Sequence, residues 1–288
     1  MCSYKILTDS CANLPSDLID EMNIGVIPLS YISDGKIIQT GSGSLKEFYD
    51  SMRNKNIYKT AALNENDYYA FFKQYLLNGE DIIYIGFSSG LSSSINNAFM
   101  AKEILRSEFP GRKIYVIDSI SASLGLGLLV YYANKKKEGG MNIEDVYYYI
   151  ENIKSKMLHY FTVDDLSYLY RGGRLSKTSF LLGNALRLKP IIHLNIKGKM
   201  NAIGKTIGKK KALNEMVDRL IKNSVNIETQ VVGIAHADSV EEANYVKERL
   251  LNLCKPKGVI ISEIDQTIGA HSGPGTIAIF ALDHKREN

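Results

Sequence analysis

Two short runs constrain the architecture more than any other feature of this chain. Asp81 to Ile85 and Lys113 to Ile117 are apolar at nearly every position, without the strict alternation of a half-buried strand. Strands of that kind are buried on both faces, and sheets covered on both faces are typically parallel. Between the runs, Ile95, Ala98, Phe99 and Leu105 fit one face of a helix expected to begin near Ser92, and a second long helix is expected from Ser121. Upstream, the signals alternate in the same way: strands at Lys5 to Leu7 and Val26 to Leu29, helices at Pro15 to Met22, Leu45 to Arg53 and Glu65 to Leu77. The pattern predicts a wound α/β domain around a parallel sheet.

The second half begins after a helix expected over Ile143 to Lys156. Its strands are expected near Leu158 to Thr162, Pro190 to Ile196, Met200 to Thr206, Gln230 to Ala235, Val259 to Ile264 and Thr276 to Leu282. Helices near Lys210 to Lys222 and Val240 to Leu253 separate some of them. Lys197-Gly198-Lys199 joins two strands too closely for a crossover, so this sheet should be mixed. With 288 residues, two domains fit better than one, divided as 1–160 and 161–288. Asp34-Gly35 between two short strands is a hairpin turn, because both residues tolerate positive φ, and it is expected to decorate the edge of the first sheet.

Composition excludes several function classes. The formal charge is only +4, and the two visible basic clusters, Lys135 to Lys137 and Lys209 to Lys211, lie at the ends of expected helices with no aromatic interleaving, which argues against nucleic-acid binding. Cys2, Cys11 and Cys254 are too widely spaced for a zinc knuckle or redox pair, and read as reduced thiols in a cytoplasmic protein. No apolar stretch approaches the roughly 20 residues that cross a bilayer. The histidines at 159, 193, 236, 271 and 284 show no metal-ligand spacing, so no metal is expected.

Three expected strand ends carry hydroxyls: Thr8-Asp9-Ser10, Ser88 to Ser93, and Asp118-Ser119. Each could simply cap a helix, but together they suggest a shared polar crevice beyond the sheet, where ligands of wound folds collect. Ser92 and Ser93 add the free N–H groups of a helix start to their hydroxyls, a ready anion site. Gly86-Phe87-Ser88-Ser89-Gly90 matches a nucleophile elbow, and the order Ser88, Asp118, His271 suits a serine hydrolase. Against that, the helix starts near Ser92 instead of directly after the motif, and no oxyanion loop precedes it. Gly204-Lys205-Thr206 lacks the spacing of a phosphate loop, and Gly125 and Gly127 lack the third glycine of a dinucleotide fingerprint. His271 stands out among the histidines because Gly269-Ala270-His271-Ser272-Gly273-Pro274-Gly275 reads as a rigid loop that positions something. Asp164 to Arg174 reads as a capped helix with a basic exit, or as a hinge and docking surface.

These residues resemble the DegV family of bacterial fatty-acid-binding proteins, which includes the lipid-carrier subunit of fatty acid kinase. The likeness spans nearly the whole chain. It is carried above all by Asp164-Asp165-Leu166 followed by Tyr168-Leu169 and Arg171-Gly172-Gly173-Arg174, and by Gly269 to Gly275. The resemblance implies two α/β domains with the lipid between them and a carboxylate held by hydroxyls and a histidine. Carried over, ligand contacts fall on Thr60, Ala61, Ser92, Ser93 and His271, with Ser119 joining from the shared crevice. Two departures bear on head-group geometry: Ala61 stands where a serine is usual, and Ser93-Ser94 replaces a usual Gly-Thr. The resemblance further implies that no cofactor is needed and that an ATP-dependent kinase phosphorylates the bound acid. Arg171, Arg174 and Lys205 are the expected docking charges. A serine hydrolase, or a binder of another small anion, remains the competing class.

Overall fold

A computed structural model describes residues 4–176 and 188–283, so Cys2 and His284 lie outside the described residues. The apolar runs form the interior of a parallel four-stranded sheet in the order β2-β1-β6-β7. Its strands are β1 Tyr4–Asp9, β2 Gly25–Ile27, β6 Asp81–Gly86 and β7 Ile114–Asp118. Every residue of β6 is buried, as expected of a strand covered on both faces. Since β1 leads to β2 on one side and pairs with β6 on the other, the strand order reverses beside β1. The crevice at such a reversal lies beyond Asp9 and Gly86.

The second sheet is mixed, in the order β10-β9-β8-β13-β11-β12. It contains β8 Met157–Thr162, β9 Leu188–Leu194, β10 Met200–Ile207, β11 Val231–His236, β12 Gly258–Glu263 and β13 Ile277–Leu282. Only β11 and β12 pair in parallel. Since β8 carries position 160 in the interior of this sheet, the change from one sheet to the other precedes Met157.

The hairpin forms with Asp34 and Gly35 at φ 49° and 75°. It does not extend the parallel sheet, contrary to expectation. β3 Ser30–Ser33 and β4 Lys36–Gln39 build a separate antiparallel sheet with β5 Lys59–Ala61. The partner strand is short and half-polar, so it carries no periodic signal. Only pairing with β3, Tyr31 opposite Thr60, defines it.

Six of the helices are α1 Ser16–Glu21, α2 Leu45–Arg53, α3 Glu65–Leu77, α4 Ser94–Glu108, α5 Leu124–Glu138 and α6 Ile143–Ile153. Helix α3 starts with a full capping box between Asn64 and Asp67. On α4, Phe99 is 37% exposed, while Ala101 takes the buried place with Ile95, Ala98 and Leu105. Helix α5 packs against both large sheets, and its stretch from Leu124 to Val130 is apolar and buried at every position before the helix ends in Lys135-Lys136-Lys137-Glu138. Its glycines serve packing: a Cβ on Gly125 would lie 2.4 Å from His159 Nε2, and one on Gly127 would lie 2.5 Å from the Ala12 carbonyl. One hydrophobic cluster therefore runs from Ile83 and Ile85 through α5 to Phe161 and Phe280.

The remaining helices are α7 Ser167–Arg171, α8 Lys209–Asn223, α9 Val240–Leu253 and α10 Gln266–Ser272. Helix α10 corrects the expected glycine-rich loop. Asp265 caps it by accepting from Ile268 N–H, and Gly269 and His271 are helical. The glycine at 269 is needed for packing, because a Cβ there would approach Tyr49 Oη within 2.5 Å. Only Gly273 and Gly275, at φ 77° and 83°, use the left-handed region. No described helix is long and apolar enough to cross a membrane.

Candidate functional site

The loop after β6 is held from below by Asp9, whose carboxylate accepts from Phe87 N–H and the Tyr84 hydroxyl. Burial pushes the Asp9 carboxyl up to about 6 despite those donors. Above the loop, Ser88 donates to the Gly198 carbonyl, which brings the β9–β10 turn onto it. Arg174 donates from Nε to the Leu91 carbonyl and so ties the exit of α7 to the same loop. The result is a wall ending in Ser92 and Ser93 at the start of α4. Ser92 Oγ accepts from Ser94 N–H, which leaves its own proton to donate, while Asn96 N–H in the first turn of α4 is taken by the Ser93 carbonyl.

Facing this wall, β5 presents Thr60 to α10. Thr60 Oγ1 and His271 Nε2 are 2.8 Å apart, although the residues are separated by 211 positions. Burial, with the Arg174 charge adding to it, lowers the His271 imidazole to about 4, so the ring is neutral at physiological pH. Its Nδ1 is buried without a hydrogen-bond partner among the described residues, hard against Gly172, where a Cβ would come within 2.1 Å. A bare buried acceptor costs less than an orphaned N–H, which places the proton on Nε2 and directs it to Thr60. The threonine proton is then free for a ligand.

Thr60, Ser92, Ser93, His271 and Ala61 all line one cavity of about 200 Å³. Its inner wall is apolar, including Leu29, Phe87 and Leu169. Beyond Ala122, Met200 and Ile268 a second chamber of about 50 Å³ continues between the two large sheets toward Phe161, Ala278 and Phe280. On the other side of His271, Thr60 and Arg174, an outer groove of about 420 Å³ opens between β5 and α7. The site is thus a cavity bordered by neutral donors and by Arg174, with an apolar chamber behind it and a polar groove outside.

Three expectations need correction. Ser119 does not join the site: it is fully buried, and its hydroxyl donates to the Ser121 carbonyl and accepts from Ser121 N–H within a tight turn. Arg174 is not a surface docking charge but a half-buried wall residue of the cavity, its guanidinium bonded to the Leu91 and Gly172 carbonyls. The hydrolase triad is not assembled. Ser88 is fully buried against Gly198, Asp118 Oδ1 accepts from Ser89 and Ile120 N–H, and His271 faces Thr60. Accordingly, a fluorophosphonate probe is expected to leave the protein unlabelled, and Ser88→Ala to lower stability by about 1 kcal/mol through the lost hydrogen bond. Labelling that disappears in Ser88→Ala would contradict this geometry.

Gly204-Lys205-Thr206 is interior to β10, with Lys205 exposed. Arg171 is exposed and lies over the Tyr168 ring, 4.9 Å from its centroid. The inner chamber was not legible in sequence. Its lining comes from the turn before α5, from α10 and from four strands of the mixed sheet, β8, β9, β10 and β13, each contributing residues that look like ordinary core.

Fold and site together define an α/β binding protein of two large sheets and a small one, with an apolar-walled cavity that ends at hydroxyls, a neutral imidazole and Arg174. The chain belongs to the DegV family: the profile described as "Uncharacterised protein, DegV family" matches residues 3–284. A DegV domain-containing protein of Clostridium perfringens is 36% identical over 290 residues, covering all of both chains. One from Streptococcus pyogenes serotype M1 is 30% identical, covering 97% of this chain and 98% of the relative. Among solved structures, a DegV protein from Thermus thermophilus described for its fatty acid binding superposes with TM-score 0.89 at 26% identity, covering 98% and 99% of the two chains. A DegV protein from Ruminococcus gnavus refined with vaccenic acid gives TM-score 0.89 at 25% identity, covering 98% of this chain and all of the other.

Proposed function

We propose that this protein binds one long-chain fatty acid, has no catalytic centre of its own, and presents the carboxylate to a separate ATP-dependent kinase that converts it to an acyl phosphate. The observation that carries the binding half is the cavity itself, apolar on its inner wall and in the chamber that continues it, with Thr60, Ser92 and His271 at its head. Burying an acyl chain contributes about 0.8 kcal/mol per methylene, a gross gain on the order of ten kcal/mol. A carboxylate taken out of water would cancel much of that unless hydrogen-bonded, and the hydroxyl protons of Thr60 and Ser92 supply the bonds. The fatty acids bound by the Thermus and Ruminococcus relatives support the same reading.

The kinase half is supported by the outer groove. It leaves the head-group end of the cavity facing outward, so that a carboxylate oxygen can meet a γ-phosphoryl group brought by a partner. Exposed Arg171 and Lys205 are the docking charges in this scheme. The protein works in the cytoplasm, with Cys11 and Cys254 as free thiols.

Mass spectrometry of lipid co-purified with the native protein is the direct test. A fatty acid is expected, whereas a different small anion, or an empty pocket that takes up no fatty acid, would overturn the reading. Phosphorylation of the bound acid by an added kinase, measured as acyl phosphate, tests the second half. Chain length offers a further check. Ala278 lies opposite Phe161 in the β8–β13 ladder and lines the far chamber. Ala278→Leu adds three carbons there, so an 18-carbon acid should lose about 2 kcal/mol while a 14-carbon acid is barely affected. Equal effects on both, in a competition assay, would place the tail elsewhere.

A further inference from the structure

A second cavity, of about 440 Å³, opens beyond the end of β1 and shares none of its described lining residues with the cavity at His271. Three carboxylates line it: Asp9 at the end of β1, Glu263 at the end of β12 and Asp265 at the start of α10. No lysine, arginine or histidine stands among its described lining residues. Asp9 is saturated with donors, taking Cys11 N–H on Oδ1 and both Phe87 N–H and the Tyr84 hydroxyl on Oδ2. Asp265 is not. It is 8% exposed, its Oδ1 caps α10 through Ile268 N–H, and its Oδ2 is buried with no hydrogen-bond partner among the described residues. The side chains of Ser10 and Asn13 stand near enough to favour its charge without completing a bond of normal geometry to Oδ2. Glu263 is half-buried, and burial and the Asp238 charge raise its carboxyl with no donor to offset them. The fold thus draws three acids out of water around one space and leaves two of them short of a compensating partner.

From this we infer that the cavity is a binding site for a small aliphatic diamine, with one ammonium group on Asp265 Oδ2 and the other at Glu263. A cation offsets the cost of holding like charges out of water, which a neutral hydrogen-bond donor does only in part. A single metal ion does not suit the site, because among the described residues no three metal-ligating side chains converge on one point. Charges spaced along a chain match acids that line one space without meeting. The methylenes of such a chain have an apolar wall to lie against in Leu14, Ile19, Val26 and Leu45, and the volume leaves room for bridging waters. The position is one where wound folds place ligands, outside the strand ends where the order reverses beside β1. The chain as a whole carries a formal charge of +4, so its overall field repels amines and the attraction is local to these acids. The inference goes beyond the fatty-acid reading and does not depend on it.

The test titrates the full-length protein calorimetrically with 1,4-diaminobutane, n-butylamine and 1,4-butanediol, at about 150 mM salt so that scattered surface carboxylates are screened. One diamine is expected to bind per chain, about tenfold tighter than butylamine, while the diol gives no measurable heat of binding. Asp265→Asn, which keeps an oxygen for Ile268 N–H, should weaken the diamine by about tenfold or more. Glu263→Gln should weaken it by about threefold and leave butylamine, which has no second ammonium group, essentially unchanged. Urea melts check that both variants fold, and the Glu263→Gln comparison of diamine with butylamine decides the matter alone if Asp265→Asn does not. A diamine affinity indifferent to both substitutions, several equivalents bound per chain, or butylamine binding as tightly as the diamine would overturn the inference. A diol that binds as well as the diamine would make this a polyol site instead. Displacement of the diamine by magnesium, with the same Asp265 dependence, would reassign the acids to a metal ion, and displacement by palmitate would put the amine in the other cavity; either result defeats the proposal.

Discussion

Replacing His271 with alanine is expected to weaken palmitate binding by about 2 to 3 kcal/mol, roughly 30- to 150-fold, the usual worth of a hydrogen bond to a charged group in a dry site. The loss acts through Thr60. Without the imidazole 2.8 Å away, the threonine hydroxyl has no internal donor to fix its orientation and no longer directs its proton to the ligand. Thr60→Ala should cost a similar amount, and the double variant little more than either single one, because the two residues act as one unit. Full additivity in a double-mutant cycle would show that the residues contact the ligand independently. Since the free imidazole titrates near 4, affinity should be flat from pH 6 to 8. A midpoint near 6.5 would mean that the ring is solvated and the cradle open.

Asp265→Asn is expected to stabilise the fold at neutral pH, by an amount that grows with pH. Burial raises the Asp265 carboxyl to about 7, against 3.8 for an ordinary aspartate, with the Ile268 N–H opposing the rise. An acid whose folded value exceeds its unfolded one binds its proton more tightly in the native state. The stability it contributes is complete below about pH 4 and is lost as pH rises toward 7. A rise of that size corresponds to about 4 kcal/mol as an upper figure, so a gain of about 2 to 4 kcal/mol for the asparagine variant is expected at pH 8. Near pH 4 the gain should vanish. Asparagine keeps an oxygen to cap α10, so the helix carrying His271 is preserved. Asp9, raised to about 6, works in the same direction, losing stability as pH rises from about 4 toward 6. His271 works in the opposite one, losing stability as pH falls from 6.5 toward 4. Two acids outweigh one histidine between pH 4 and 6, so the unaltered protein should lose stability across that interval from these groups. Urea melts at several pH values decide the matter, and parallel profiles for the parent and Asp265→Asn would refute the assignment.

Much of the scaffold was legible because its signals are local. The runs at 81–85 and 113–117 are strands since nothing but a doubly covered sheet can bury them. The limits of α2, α3 and α9 follow from apolar periodicity, with caps at Ser44 and Asn64 marking where α2 and α3 begin. Asp34-Gly35 specified a turn through backbone sterics alone. The resemblance in the 164–174 and 269–275 segments led to the right family, and Thr60, Ser92, Ser93 and His271 do meet in one cavity.

What the chain could not express locally was decided by tertiary contact. Lys59–Ala61 is a strand only because Tyr31 pairs with it, and Gln266–Ser272 is a helix, despite Gly269, because packing on Tyr49 and the Asp265 cap outweigh the glycine's intrinsic cost. Arg174 turns inward and Ser119 closes on itself for the same kind of reason: burial makes each satisfy its polar atoms with whatever neighbour the fold supplies. Periodicity and caps are read within a few residues, so they determined the elements. The site joins positions 60, 92 and 271, and only tertiary packing brings those together: the small sheet carrying Thr60 lies against α10 with His271, and Ser92 comes from the loop after β6 of the parallel sheet.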